Sequence, residues 1–146
     1  MTPKGKANKL DRERLKRLAA FAPTFRNPQT AFGRWHPSTG QGTMKDPLIG
    51  PWFEMSEVAD QFIGVANGFI ETLKDFDWTK WIQQREGKKL SGSTDAIASA
   101  NGEQLAKLSL ALVRQDRFVE GALAKAYDEK IILAIVERAE DLLKQI

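Results

Sequence analysis

SEVADQFIGVANGFIETL, residues 56–73, is the stretch on which the fold class turns. Val58, Ala59, Phe62, Ile63, Val65, Ala66, Phe69, Ile70 and Leu73 recur at spacings of three and four. That is the period at which side chains stack along one face of an α-helix. Ser56 stands where an N-cap hydroxyl takes up a free backbone N–H. The pattern predicts a central amphipathic helix. Its opposite face carries Glu57, Asp60, Gln61, Gly64, Asn67, Gly68 and Glu71. Glycine costs about 1 kcal/mol relative to alanine inside a helix. Gly64 and Gly68, one turn apart, therefore imply close approach by another helix, a loop or a ligand.

Similar patterns flank this stretch. Leu10, Leu15, Leu18 and Phe21 mark a first helix, capped by Asn8 or Asp11 and stopped by Pro23, whose remaining surface holds Arg12, Arg14, Lys16 and Arg17. Asp77 suits the cap of a short helix carrying Trp78, Trp81 and Ile82, with a flexible loop from Gly87 to Thr94 and a brief turn at 95–99. Asn101 followed by Gln104 reads as a capping box opening a helix that buries Leu105, Leu108, Ala111 and Leu112. Around Asp116 that helix continues or restarts, with Phe118, Ala122, Leu123 and Ala126 inward. A last helix over 130–145 buries Ile132, Ile135, Val136, Ala139, Leu142 and Leu143. The expected architecture is all-α: one compact domain over 1–146, a bundle of about five to six helices.

Between the first two long helices, Pro23, Pro28, Gly33, Pro37, Gly40, Gly42, Pro47, Gly50 and Pro51 leave no room for a regular element of ordinary length. Phe25, Phe32, Trp35, Leu48, Ile49, Trp52 and Phe53 lie in the same segment. A solvated linker has no use for that much apolar surface. Residues 23–55 are therefore read as a long ordered loop folded over the body with its aromatics as anchors.

Composition narrows the chemistry. With no cysteine and one histidine, disulfides, thiolate sites and histidine-rich metal sites within one chain are excluded. No calcium-loop pattern, Gly-x-Gly-x-x-Gly or phosphate-loop motif occurs, so no metal and no cofactor are expected. The longest uninterrupted apolar run, 131–136, is far shorter than the roughly 20 residues of a membrane-crossing helix. The N-terminus lacks a signal-peptide core. A cytoplasmic protein with no membrane contact is the expectation. Residues 1–50 hold ten Lys/Arg against three Asp/Glu, and the remainder twelve against sixteen. Such a basic arm suits contact with nucleic acid or an anionic surface, or attraction between the arm and the mildly acidic body, although a solvated terminus, frayed over 1–9, is the plainer reading.

Leu112-Val-Arg-Gln-Asp-Arg-Phe-Val-Glu-Gly-Ala-Leu123, together with Asp77-Trp-Thr-Lys-Trp81, resembles a family of small bacterial and phage proteins known only as a domain of unknown function. The likeness covers the second half of the chain and rests on the Arg-x-Asp-Arg-Phe-x-Glu-Gly signature, Arg114 to Gly121. The chain has Val119 where family members often carry cysteine, and Glu129-Lys130 where a glycine often precedes the last helix. The resemblance implies an all-helical bacterial protein and supplies no catalytic residue.

Candidate sites follow from residue type. Arg114, Asp116, Arg117 and Glu120 form either a structural ion-pair network or an anion site gripped by two guanidiniums. His36 is the one imidazole open to general-base work, and a loop histidine is more often not catalytic. Trp78 and Trp81 are read as core anchors in preference to base-stacking platforms. The catalytic set is unknown. The favoured function is a non-enzymatic interaction domain that binds a protein partner or itself. Its surface is the aromatic loop (Trp35, His36, Trp52) together with the glycine-bearing face (Gly64, Asn67, Gly68). The alternatives are nucleic-acid association through the basic first helix, Lys4 to Arg17, with Arg12, Arg14, Lys16, Arg17, Arg26 and Arg34 as its named contacts, and an anionic-ligand or enzyme site at Arg114, Arg117 and Glu120.

Overall fold

The structure is a computed structural model that describes residues 4–146, with side chains from Lys9 onward. The frayed end expected over 1–9 falls outside the described residues for 1–3, and the side chains of Lys4 and Asn8 fall outside them too. In chain order the elements are α1 (Lys4–Ala19), α2 (Ala22–Arg26), β1 (Gly33–His36), β2 (Trp52–Met55), α3 (Glu57–Gly68), a 3-10 turn (Phe69–Thr72), α4 (Trp78–Trp81), α5 (Arg85–Gly92), α6 (Thr94–Ile97), α7 (Gly102–Asp116), α8 (Ala122–Asp128) and α9 (Ile131–Gln145).

The fold is mostly helical, and the all-α expectation is corrected by one antiparallel hairpin pairing β1 with β2. Core position also departs from expectation. In α7, Leu105, Ala106, Leu108, Ser109, Leu110, Ala111, Leu112 and Val113 are all buried. A helix apolar on every side sits in the middle of its domain, and α7 packs against α1, α3, α4, α5, α8 and α9. The centre is thus α7, not the 56–73 helix. The Ser109 hydroxyl in that dry interior donates to the Leu105 carbonyl at 2.8 Å, which satisfies it.

Helix ends follow local chemistry. Ser56 accepts from Ala59 N–H, Asp77 from Thr79 and Lys80, and Asn101 with Gln104 forms the reciprocal capping box. Neither Asn8 nor Asp11 caps α1, which begins at Lys4. Pro23 does not stop a helix but lies in the first turn of α2, where a missing N–H costs nothing. The loop expected over 87–94 is largely α5. Its Gly87 is buried against the Trp81 backbone, where a Cβ would lie 2.1 Å from the carbonyl oxygen, so only glycine fits. Phe118, expected inward, lies beyond the end of α7 and is 77% exposed.

Two polar clusters tie the helices together. Arg14, grouped by sequence with the surface cations, is only 5% exposed; it donates to the Thr72 carbonyl and hydroxyl at 3.0 Å and to Asp11 at 3.3 Å. Glu86 of α5 accepts from Trp81 Nε1 at 2.7 Å and from Gln104 Nε2 at 2.6 Å, joining α4, α5 and α7. The hydrogen bonds from Gln104 and then Trp81 hold the Glu86 carboxyl below its ordinary 4.5. Depression of a carboxylate contributes stability that is complete above pH 4.5 and lost as pH falls through the lowered value. Glu86→Gln should therefore cost about 1 kcal/mol at neutral pH and flatten the acid limb of a urea-midpoint profile taken below pH 4.5.

Candidate functional site

The β1–β2 hairpin lies between α2 and α3. Cross-strand partners are Gly33 with Met55, Arg34 with Glu54, Trp35 with Phe53 and His36 with Trp52. Strand side chains alternate between faces, so Gly33, Trp35, Phe53 and Met55 share the inner face while Arg34, His36, Trp52 and Glu54 share the outer one. Inside, Trp35 meets Phe53 edge-on at 5.4 Å between ring centroids. Outside, the His36 ring stacks on Trp52 at 4.2 Å with a 9° interplanar angle, and its Nε2 lies 2.8 Å from Glu54 Oε1. Arg34 approaches the same carboxylate oxygen at 3.7 Å. The hydrogen bond with His36, and then the charge of Arg34, draw the Glu54 carboxyl below the usual carboxylate range.

The segment joining the strands is ordered by its own backbone. Thr39 and Ile49 exchange hydrogen bonds at 2.9 and 2.7 Å, and the Asp46 carbonyl accepts from Gln41, Gly42 and Thr43. Residues 37–52 are exposed throughout, which corrects the expectation that this loop folds over the body. Of the expected anchors, Phe25 and Phe32 are buried and Phe53 is half-buried against the core. Trp35, Leu48, Ile49 and Trp52 are between 45% and 65% exposed.

What holds the hairpin is the segment singled out by its charge. Glu120 Oε1 accepts from Phe53 N–H at 2.9 Å. Gly121 adopts a left-handed φ of 87° under the Trp35 ring, where a Cβ would lie 2.4 Å from Cζ2. Asp116 Oδ1 accepts from Leu123 N–H at 2.9 Å and closes the turn into α8. In α8, Tyr127 stacks on Phe32 at 4.6 Å and donates its hydroxyl to the Thr30 carbonyl at 3.1 Å. Arg114, Asp116, Arg117 and Glu120 make no ion pair with one another among the described residues; the two carboxylates go to backbone amides instead. Arg114 Nε is buried without a hydrogen-bond partner, and Arg117 is exposed.

The family model described as "Family of unknown function (DUF6508)" matches residues 10–145. The chain belongs to DUF6508. The match spans the helical core, the hairpin and the turn that pins it, so in this DUF6508 chain they form one continuous unit. The chain has no match among curated proteins or solved structures.

The other sequence-derived candidates are scattered. Gly64 and Gly68 are exposed, and apart from their own helix nothing among the described residues comes within 4 Å of where a Cβ would stand at either, so no described residue makes the close approach expected there; Asn67 Oδ1 is buried without a partner among the described residues. Arg12, Lys16 and Arg17 are exposed on α1. Arg14 is buried, Arg26 donates to Glu137 at 3.0 Å and Glu140 at 2.7 Å, and Arg34 lies against Glu54, which commits three of the six arginines and lysines offered for nucleic acid. Trp81 is a buried anchor, whereas Trp78 is half-buried and stacks on Phe118 at 6.0 Å. Glu54, which completes the His36 pair, was not flagged by sequence; neither was Tyr127. No group of three His, Asp or Glu suited to a metal ion occurs among the described residues, and no described helix is long and apolar enough to cross a membrane.

Proposed function

We propose that the protein is a helical interaction domain that binds a protein partner, or a second copy of itself, through the outer side of its hairpin. The observation that carries this reading is the exposure of Leu48, Ile49 and Trp52 on a hairpin pinned to the core by Glu120 and Gly121. Contiguous exposed apolar surface on a pre-ordered scaffold marks interaction sites, and a central tryptophan is a frequent energetic anchor. On the same face the Glu54 carboxylate is already paired with His36 and Arg34, which lowers the cost of covering it. The resemblance to bacterial and phage proteins supports a bacterial setting.

The test compares the wild-type chain with Ile49→Ser/Trp52→Ser by sedimentation velocity over a wide concentration range and by cross-linking in lysate. Both side chains are largely exposed, so melting should shift by no more than about 2 °C. Self-association or capture of one partner should weaken at least about 30-fold, as loss of a 2 kcal/mol anchor implies. A monomer at every concentration, with cross-linked species identical for the two proteins, contradicts the reading.

A further inference from the structure

Away from the hairpin, a cavity of about 400 Å³ opens between α5, α6 and the start of α7. Its apolar lining is Leu90, Ala96 and Ala100; Leu90 and Ala100 are buried, and Ala96 is half-buried against the core. Hydrogen bonds fix the surrounding elements. Glu86 Oε1 accepts from Gln104 Nε2 at 2.6 Å, and its Oε2 accepts from Trp81 Nε1 at 2.7 Å. Arg138 Nε of α9 donates to the Ala100 carbonyl at 2.9 Å. A preformed cavity with an apolar surface and a few polar groups is the usual shape of a small-ligand site.

The charge around it is one-sided. Arg85 and Lys89 line the cavity, are exposed, and make no ion pair among the described residues. They stand four positions apart on α5, the spacing that sets two side chains next to each other on a helix face, where like charges repel. Glu86 is the one lining carboxylate, and each of its oxygens is already taken by a neutral donor. Gln104 and Ser99, the remaining lining residues, are uncharged. An anion seated between Arg85 and Lys89 relieves their repulsion and gains charge-assisted hydrogen bonds. None of the lining residues is aromatic, so the apolar part offers methyl groups and no ring to stack on. That favours an aliphatic body over a planar one. A second carboxylate on the guest would meet Glu86, which favours a single charge.

We infer that this cavity binds a small aliphatic monocarboxylate, its head between Arg85 and Lys89 and its tail against Leu90, Ala96 and Ala100. The cavity shares no residue with the hairpin, so this binding is additional to the interaction-domain reading and does not depend on it.

The experiment follows the Leu90, Ala96 and Ala100 methyl signals of the methyl-labelled full chain as hexanoate, hexan-1-ol or hexylammonium is added. Hexanoate should shift all three saturably, with half-saturation on the order of 1 mM, which suits so small a ligand. Hexanol should bind at least tenfold more weakly, and hexylammonium should not bind. Arg85→Gln/Lys89→Gln changes two exposed positions and should melt within about 2 °C of the wild type. It should weaken hexanoate at least tenfold and leave hexanol unchanged. Should the double variant melt early, the wild-type comparison of hexanoate with hexanol decides alone. Equal binding of hexanoate and hexanol, hexanoate binding unchanged in the folded double variant, or no saturable shift with hexanoate overturns the inference. An acetylated pentapeptide ending in leucine that binds more tightly than hexanoate assigns the cavity to a partner's chain end and likewise overturns it.

Discussion

Gly121→Ala is expected to cost about 2–3 kcal/mol and to loosen the hairpin without unfolding the helices. Two effects add. The φ of 87° lies in the left-handed region, which glycine reaches at no steric cost and alanine does not. The added methyl would also stand 2.4 Å from Cζ2 and 2.6 Å from Cη2 of Trp35, so the indole must move off the turn. Trp35 carries the inner face of β1 and meets Phe53, and its displacement opens the apolar contact between strand and body. Urea unfolding gives the cost, and tryptophan emission before the transition reports the displaced ring. The companion Trp35→Ala removes the clash and keeps the backbone strain. Gly121→Ala should therefore cost less in that background than in the wild type. An equal cost in the two backgrounds shows that the ring does not sit on Gly121.

Arg14→Met should lose about 2–4 kcal/mol, and Arg14→Lys should recover little of it. The guanidinium is buried and serves the Thr72 carbonyl, the Thr72 hydroxyl and Asp11 at once, holding α1 to the 3-10 turn that follows α3. Hydrogen bonds from a charged donor are worth about 1.5–3 kcal/mol, and their removal leaves a carbonyl without its donor. A lysine ammonium is a point charge without the planar fork that reaches all three acceptors. Chemical denaturation measures the loss; a change below about 0.5 kcal/mol would place Arg14 at the solvated surface, as its neighbours Arg12 and Lys16 are.

Arg14 shows where sequence reasoning runs out. Helical periodicity gives the side of α1 on which a residue lies, but the acceptors for Arg14 come from residue 72, brought near only by the tertiary fold. The long apolar periods were legible: α7 and α9 lie where spacing put them, and α3 opens at the Ser56 cap but ends at Gly68, where the expected helix to residue 73 gives way to the 3-10 turn; the Asn101–Gln104 box is in place. The hairpin was not, because four-residue strands are too short to display a period of two beside so many glycines and prolines. For α5 the obstacle was Gly87, a residue that reads as a break yet is demanded inside the helix by the Trp81 backbone against it.

The candidate site divides in the same manner. Trp35, His36 and Trp52 drew notice as aromatics in a long loop, and the structure brings them together on one hairpin. Glu54 and Phe53 could not be joined to them, since pairing across 18 residues depends on a register that the intervening turn sets. Charge density at Arg114–Glu120 drew attention to that segment as an ion-pair network or an anion site. Its carboxylates serve backbone amides, an outcome that composition does not distinguish from an ion-pair network.

Everything proposed for the hairpin depends on its being held in one position by the α7–α8 turn, and the Phe53 amide reports that directly. It points away from its partner strand, so only Glu120 shields it from exchange with water. Residue-resolved hydrogen exchange on the free chain should find the Phe53 amide slowed at least tenfold relative to an unstructured peptide. In Glu120→Ala that protection should vanish while the α7 amides keep theirs. A Phe53 amide that exchanges at the unstructured rate in the wild-type chain would mean that the hairpin is not docked.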